Sequence, residues 1–389
     1  MYKLEMKRLF KSKANIFLAA AALVFSVFMA LSSINSVIYY VSFTYGENES
    51  SVTALTGLEA VASQRERMAK FEGWLTPERI AELAARGEAE AANGVYDSGV
   101  EYVLSSLRRA GADDLSDYYA ARKDLIERVV SQKYGEGVAQ TALKIDEGTK
   151  EPFYYEYGHG DSDAIVNLSL CQTAIAAVCA AISSASFVQG YATNADDIMR
   201  CAKHGRMRFA RVKMLASLSY SAMLYILCAG VLTAIIFAVF GSDASAAQLK
   251  GLYDSPLILL GMTENGEYFL TVLMGLLTTL AVSAFALMVS SMVKSPVAAA
   301  AVSVVMVFVP LVCTALLEPH GWGLWLQNIF PSGGVSITRG LMYQLTMADF
   351  LTIGPLALWT PFVMLAAPVI ETPVFALLAR RAYVRHECK

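Results

Sequence analysis

The chain has 389 residues, of which 56% are hydrophobic and 17% are charged, and its mean hydropathy is +0.46. Soluble domains have about 45–50% apolar and about 25% charged residues, so this composition excludes a single ordinary soluble globule. The formal net charge of −3 is nearly balanced, which argues against a nucleic-acid partner.

The chain begins with a basic segment and then a long apolar stretch. Residues 1–14 contain five Lys and Arg, and we expect them to form a helix at the membrane interface. Residues 15–41 are apolar for longer than a usual signal peptide, and Ala30-Leu31-Ser32 is a poor cleavage site. We therefore predict that this stretch is a retained transmembrane helix.

Residues 42–163 are the only polar segment of domain size, and their net charge is −10. Thr76-Pro77 is typical of a helix start, with Thr at the N-cap and Pro at the first helical position. Residues 98–109 and 115–134 have helical apolar spacing, and strand-like alternation is scarce. We expect a helical extracytoplasmic domain whose acidic surface is either simply solvated or attracts a cationic ligand.

Five further stretches are long enough to cross a bilayer core, which takes about 20 apolar residues. They cover residues 164–188, 212–240, 269–293, 297–317 and 353–378. Outer loops at 241–268 and 318–352, a turn at 294–296 and a tail at 379–389 connect or follow them. The predicted fold is an all-α integral membrane protein with six transmembrane helices, and four prolines predict a kinked or broken last helix.

The distribution of charge sets the predicted orientation. With the N-terminus inside, the inner segments and Lys213 at the membrane edge carry +12, and the outer segments carry −14. The opposite orientation would invert this bias and violate the positive-inside rule. We therefore predict that both termini are cytoplasmic.

Motifs for catalysis are lacking. The chain has no GxxxxGK[ST] phosphate loop, no HExxH zinc motif and no paired-carboxylate site. Its Cys and His residues have no metal-ligand spacing. We expect a non-enzymatic protein with no metal and no cofactor of its own.

The inner loop 189–211 reads QGYATNADDIMRCAKHGRMRFAR. Acidic residues at its predicted helix start and basic residues at its end match the helix dipole. One interpretation is a short helix that contacts a partner, and the other is a positive-inside anchor whose arginines reach lipid phosphates.

The order of these segments resembles the six-helix permease subunit of ABC-2-type ATP-binding-cassette transporters. Members often have an aromatic residue, then Gly, Arg and Lys, before the third helix, and Phe187, Gly205, Arg208 and Lys213 stand in those places here. The acidic residue that many members carry just after the second helix is replaced by Gln189, and under this resemblance Asp196 or Asp197 would be a displaced substitute for it.

The resemblance implies an exporter of the bacterial plasma membrane. Two permease subunits, identical or different, would form the pathway, and separate ATPase subunits would bind and hydrolyse ATP. Residues 1–14 would be the elbow helix, and the inner loop would be the coupling helix. The implied ATPase-coupling residues are Asp196, Asp197, Ile198, Gly205, Arg206, Arg208 and Arg211.

Glu371 is almost the only ionisable residue within a predicted span, which makes it a candidate pathway residue. The sequence places it nearer the inner end of the last span, where it would line the pathway or pair with Lys213 or Lys294. Two alternatives to a permease stay open at this point. One is a secondary transporter, and the other is a receptor or scaffold with a ligand-binding outer domain.

Overall fold

The computed structural model describes residues 1–45, 50–92, 107–108, 117–158, 163–192, 205–241, 255–317, 321–354 and 356–385. The described chain is mostly helical, and six of its helices are long and apolar enough to cross a membrane. In chain order the elements are α1 (Tyr2–Lys11), α2 (Lys13–Asn35), β1 (Ile38–Tyr45), β2 (Ser50–Thr56), α3 (Gly57–Met68), β3 (Gly73–Trp74), α4 (Pro77–Ala92), α5 (Tyr118–Tyr134), α6 (Glu136–Asp146), β4 (Tyr154–Tyr155), α7 (Ala164–Ala192), α8 (Gly205–Phe240), α9 (Glu264–Met292), α10 (Pro296–Leu316), α11 (Trp322–Ile329), a 3₁₀ turn (Gly333–Val335), α12 (Leu341–Leu345), β5 (Phe350–Ile353), β6 (Leu356–Trp359) and α13 (Thr360–Arg385). The candidate spans are α2, α7, α8, α9, α10 and α13.

A single residue, Ser12, separates the interfacial helix α1 from the first span. Its backbone is extended, with φ −66° and ψ 119°, and its Oγ accepts a hydrogen bond from the backbone N–H of Asn15 at 3.5 Å. The Asn15 amide in turn donates to the carbonyl of Leu9 at 3.1 Å. These contacts cap α2 and hold α1 at an angle to it.

Helices α7 and α9 form the centre of the bundle. In each of them 61% of the most apolar 18-residue stretch is buried within the protein, and the corresponding share in α10 and in α13 is 22%. Their contact uses small side chains, including Ala176 and Ala180 on α7 and Ala286 on α9. Small residues let helix backbones approach closely where lipid removes the usual hydrophobic driving force.

Hydroxyl groups connect α7, α8 and α9 inside the bundle. Ser217 on α8 donates to Ser183 Oγ on α7 at 2.9 Å, and Ser283 on α9 donates to Ser221 Oγ on α8 at 2.9 Å. All four side chains are buried. Each hydroxyl therefore satisfies a neighbour across a helix interface, as buried polar groups in a membrane require.

The last span begins later than the sequence predicts, at Thr360 and not at residue 353. Residues 350–353 pair with 356–359 in a two-stranded antiparallel sheet, and Gly354 in its turn has φ +57°. The residues of this hairpin are apolar, so their hydropathy does not distinguish them from the start of a transmembrane helix. The helix that follows is continuous through Pro368 and Pro373, so of the predicted kink or break the break is wrong.

The polar segment 42–163 is less purely helical than predicted. Strands β1 and β2 form an antiparallel pair directly after α2, and β3 pairs with β4. Helix α4 begins at Pro77 with the Thr76 hydroxyl accepting from Arg79 N–H at 3.3 Å, which confirms the predicted start. Helix α5 corresponds to the predicted helix 115–134, whereas most of 98–109 lies outside the described residues.

A buried ion pair joins two helices of this polar segment, and its arginine also contacts the chain before α9. Arg122 on α5 is fully buried and bonds the carboxylate of Asp146 on α6, with Nη1 to Oδ2 at 3.0 Å. Its guanidinium also reaches the carbonyl of Ile258 at 3.4 Å, just before α9. A second ion pair joins Lys133 Nζ to Asp349 Oδ1 at 2.6 Å. The segment thus packs against the parts of the chain that lead into α9 and towards α13.

Candidate functional site

One end of the bundle collects the basic segments of the chain, and we refer to it as the basic end. The ring of Phe10 on α1 lies 5.1 Å from that of Tyr220 on α8. Tyr383 near the end of α13 lies 4.9 Å from Phe187 near the end of α7. Helix α1 and the end of α13 therefore share this end, while β1 and the docked polar segment lie at the other. Which membrane face each end occupies is a prediction from the charge distribution.

The predicted coupling residues fall into two groups. Asp196, Asp197 and Ile198 lie outside the described residues. Gly205 is the first residue of α8, and Arg206, Arg208 and Arg211 occupy exposed positions in its first turns.

Helix α8 is long enough to project beyond a bilayer. Its 36 residues correspond to about 54 Å at 1.5 Å per residue, against a hydrocarbon core of about 30 Å. Phe209 and Ala210 are buried between the exposed arginines. The start of α8 therefore presents cationic groups on one side and packs into the bundle on the other.

A buried lysine anchors this projecting part of α8. Lys213 is 4% exposed, and its Nζ donates to the carbonyl of Ser186 on α7 at 2.9 Å. The same Nζ lies 4.6 Å from the ring centroid of Phe209 and 5.6 Å from that of Phe187. Such cation–π contacts are strongest where the ammonium is desolvated.

An aromatic cluster extends this anchor to the last span. The cluster comprises Phe187, Tyr191, Phe209 and Tyr383, and the Tyr383 ring lies 4.9–6.3 Å from the other three. The Ser290 hydroxyl of α9 accepts from the Phe187 backbone N–H at 3.0 Å. The start of α8 is therefore linked by these contacts to α7, α9 and α13.

Glu371 lies near the middle of α13 and not near its inner end. It is the twelfth residue of a 26-residue helix and precedes Tyr383 by about 18 Å along the axis. Lys213 is held at the level of Tyr383, and Lys294 is exposed beyond the end of α9. No salt bridge joins Glu371 to either lysine within the described residues.

The Glu371 side chain faces the bundle interior. It is half-buried and lies on the same face of α13 as the buried residues Met364, Pro368 and Ala379. Its Oε2 is buried and has no hydrogen-bond partner among the described residues. A carboxylate at this depth is costly, which makes it a functional candidate by default.

A non-helical segment enters the bundle from the opposite end. The 3₁₀ turn Gly333–Val335 is buried, and the carbonyl of Val335 accepts from Thr173 Oγ1 at 3.0 Å. Thr173 is nine residues into α7, or about 14 Å. Ser332 Oγ donates to the carbonyl of Met306, near the middle of α10, at 3.2 Å. We refer to residues 330–336 as the inserted segment.

Glycine is required at Gly333 because other backbone lies against it, and at Gly334 a side chain lies as close. A Cβ at Gly333 would overlap the carbonyl oxygen of Gln327, and one at Gly334 would overlap the side chain of Met274. Non-helical backbone at membrane depth is tolerated only where protein or a water-filled cavity surrounds it. The inserted segment thus interrupts the packing of helix against helix with closely packed non-helical backbone.

Sequence reasoning assigned residues 318–352 to an outer loop and missed this insertion. The available signal was the Pro331-Ser332-Gly333-Gly334 stretch between apolar residues, which suits close backbone packing. Polar groups near it were missed too. The hydroxyls of Thr271, Thr278 and Thr279 on α9 are buried without a partner in the described part of the chain.

No protein-family model matches this chain, and a comparison with curated proteins finds no match. The resemblance to ABC-2 permeases therefore rests on the order of the segments and on the residues quoted for it.

Proposed function

We propose that this chain is the transmembrane permease subunit of an ABC exporter, driven by a separate ATPase subunit. The observation that carries the proposal is the start of α8. Exposed arginines lie on this end of α8. Lys213 and the aromatic cluster connect the same end to α7, α9 and α13. A partner that moves this helix end would move those spans with it.

The proposed drive begins when ATP closes the partner subunits. Arg206, Arg208 and Arg211 would contact acidic groups of the ATPase, and the loop before Gly205 would sit in its cleft. The displacement would then pass from Lys213 to Phe187 on α7 and from Phe209 to Tyr383 on α13. The side chains in this route are buried and closely packed, so they transmit a shift without absorbing it.

The proposed pathway runs beside Glu371 and the inserted segment. A non-helical segment has fewer internal backbone hydrogen bonds to break than a helix has, so it can change conformation at a lower cost. The inserted segment therefore suits a gate at the end of the bundle opposite the basic end. Glu371 would then provide the pathway with one negative charge near its middle.

The test is the purification of the tagged full-length chain from membranes of its native host in mild detergent. We expect vanadate-sensitive ATP hydrolysis to copurify. The double variant Arg206→Ala, Arg208→Ala should reduce this activity about tenfold or more, because charge-assisted contacts across an interface are lost.

The matched control is Arg381→Ala with Arg385→Ala, which removes the same charge from exposed positions at the same end. It should retain the activity. Transport by the purified chain in vesicles that contain no ATPase would refute the proposal.

A secondary transporter is the second candidate, and Glu371 favours it. A mid-span carboxylate with an unpartnered oxygen is what a proton-coupled carrier uses. Transport that an uncoupler abolishes and ATP depletion leaves intact, and that Glu371→Gln eliminates, would select this candidate over the first.

A further inference from the structure

A small cleft opens at the basic end, between the α1–α2 junction and the end of α7. Its volume is about 30 Å³, and it opens to solvent. Polar groups from both sides line it: Arg8, Ser12 and Asn15 on one side, and Ser186 and Gln189 on the other. Its floor includes the apolar Ile182. The cleft thus combines a cationic rim with hydroxyl and amide groups at the level where the spans begin.

The α2 side of the cleft favours an anion. The first N–H groups of α2 have no acceptor within that helix, and Ser12 Oγ caps only the N–H of Asn15 among them. Arg8 lies at the rim with a side chain 41% exposed, and its Nε is 3.0 Å from the carboxylate of Glu5. This contact leaves the remaining guanidinium donors for another oxyanion.

The α7 side supplies an independent indication of a ligand. Ser186 is 3% exposed, and its Oγ is buried without a hydrogen-bond partner among the described residues. Its backbone carbonyl accepts from Lys213, so the backbone is held in place while the hydroxyl is not engaged. An unpaired buried hydroxyl costs free energy unless something accepts or donates to it.

The surroundings of the cleft identify the kind of anion. Phe10 on α1 and Ile16 and Phe17 on α2 are 48–73% exposed, which places apolar side chains beside the cationic rim. Lys7 and Lys11 on α1 are exposed as well. A free phosphate would gain nothing from the apolar side chains, whereas a phospholipid places its acyl chains against them and its phosphate in the cleft.

We propose that this cleft binds the headgroup phosphate of an anionic phospholipid. Arg8 contacts the phosphate oxygens, the Ser186 hydroxyl donates to one of them, and the first turn of α2 faces the negative charge. Such a lipid would fix the angle between α1 and the spans. The proposal requires only that the chain lies in a bilayer, so it stands or falls independently of the transport function.

The experiment is native mass spectrometry of the full chain in detergent. Dioleoyl-phosphatidylglycerol, dioleoyl-phosphatidylcholine and inorganic phosphate are added separately. We expect retention of at least one phosphatidylglycerol, with weaker binding of phosphatidylcholine. Arg8→Gln should weaken phosphatidylglycerol binding about tenfold or more, because a charge-assisted contact is lost. Ser186→Ala should weaken it to a smaller extent, and Arg8→Lys should lie between wild type and Arg8→Gln.

Two variants serve as matched controls. Arg381→Gln removes an exposed arginine at the same end, away from the cleft. Ser184→Ala removes a buried α7 hydroxyl that already donates to the carbonyl of Ala181 at 2.7 Å. Both should bind the lipid as wild type does.

Three results would overturn the proposal. In the first, Arg8→Gln and Ser186→Ala behave like their controls. In the second, phosphatidylcholine and phosphatidylglycerol are retained equally. In the third, inorganic phosphate displaces the lipid and shows the same dependence on Arg8 and Ser186, which would identify a soluble oxyanion as the ligand.

Discussion

The buried ion pair between Arg122 and Asp146 gives a sharp prediction about the stability of the polar segment. The side chains are 0% and 2% exposed, so neither charge is compensated by water. Asp146→Ala would leave the guanidinium buried opposite the carbonyl of Ile258, with a more distant carboxylate, Glu151, at 3.6 Å. We expect this substitution to be strongly destabilising.

The magnitude follows from the contacts that remain. Removing one partner of a buried pair costs about 3–5 kcal/mol. Glu151 is 23% exposed and is also 3.0 Å from Lys123, so it compensates only in part. The Phe153 ring, 5.6 Å from the guanidinium, adds a cation–π contact that survives the change. We therefore expect a loss near the lower bound, about 3 kcal/mol.

The assay is denaturant unfolding of the full chain in detergent, followed by tryptophan fluorescence. Trp74 is the reporter because its ring lies 5.1 Å from that of Tyr154 within the polar segment. The other three tryptophans are replaced by Phe in every protein compared. Hydrogen exchange in α5 and α6 provides a second measurement, and it should rise sharply in Asp146→Ala.

Two further variants make the result decisive. Lys123 is on the same helix as Arg122, and its Nζ forms an exposed ion pair with Glu151. Lys123→Ala should therefore lower the free energy of unfolding by less than about 1 kcal/mol. Arg122→Met combined with Asp146→Leu removes both charges and should recover most of the loss, because apolar replacements of a buried pair are often neutral. A cost below about 1 kcal/mol for Asp146→Ala would refute the claim that this pair is buried and holds α5 to α6.

Three other predictions concern the remainder of the molecule. Lys213→Ala should lower the free energy of unfolding by about 2–4 kcal/mol, because it removes a buried aliphatic side chain and its cation–π contacts. The control Lys294→Ala, at an exposed position, should leave the melting temperature unchanged. Gly333→Ala should lower the free energy of unfolding by more than the usual overpacking cost of about 1–3 kcal/mol, because its Cβ meets the Gln327 backbone, which cannot move aside as a side chain would. An unchanged melting temperature would contradict the insertion. Burial raises the pKa of Tyr119 to about 12, so the stability from its neutral hydroxyl is present below pH about 10 and is lost as the pH rises towards 12. Tyr119→Phe should flatten that alkaline loss in denaturant titrations, and identical pH profiles would contradict the shift.

Hydropathy located the span helices well where they follow clear turns. The fourth and fifth spans were predicted at 269–293 and 297–317, and α9 and α10 run from Glu264 to Met292 and from Pro296 to Leu316. Ser295 and Pro296 provide the helix start there, with Ser295 Oγ accepting from Ala298 N–H at 3.4 Å. Local chemistry and length were sufficient in this region.

Hydropathy failed where apolar residues serve a structure other than a helix. The β5–β6 hairpin is apolar enough to resemble the start of the last span, and this error placed Glu371 too near one end. Strands β1 and β2 were missed because their pairing depends on partners and not on a strong local pattern. β-Structure is defined by contacts between segments, which a single stretch of sequence does not contain.

The sequence by itself determined the class of protein and the distribution of its charge. Six apolar stretches and a −3 net charge that divides into a basic and an acidic set required no tertiary information, because hydropathy and charge are properties of local composition. Only the tertiary structure decided that Lys213 is held between two aromatic rings, that residues 330–336 enter the bundle and that Ser186 faces a cleft beside Arg8. Each of these depends on residues far apart in the chain meeting at one place, and no local pattern specifies such a meeting.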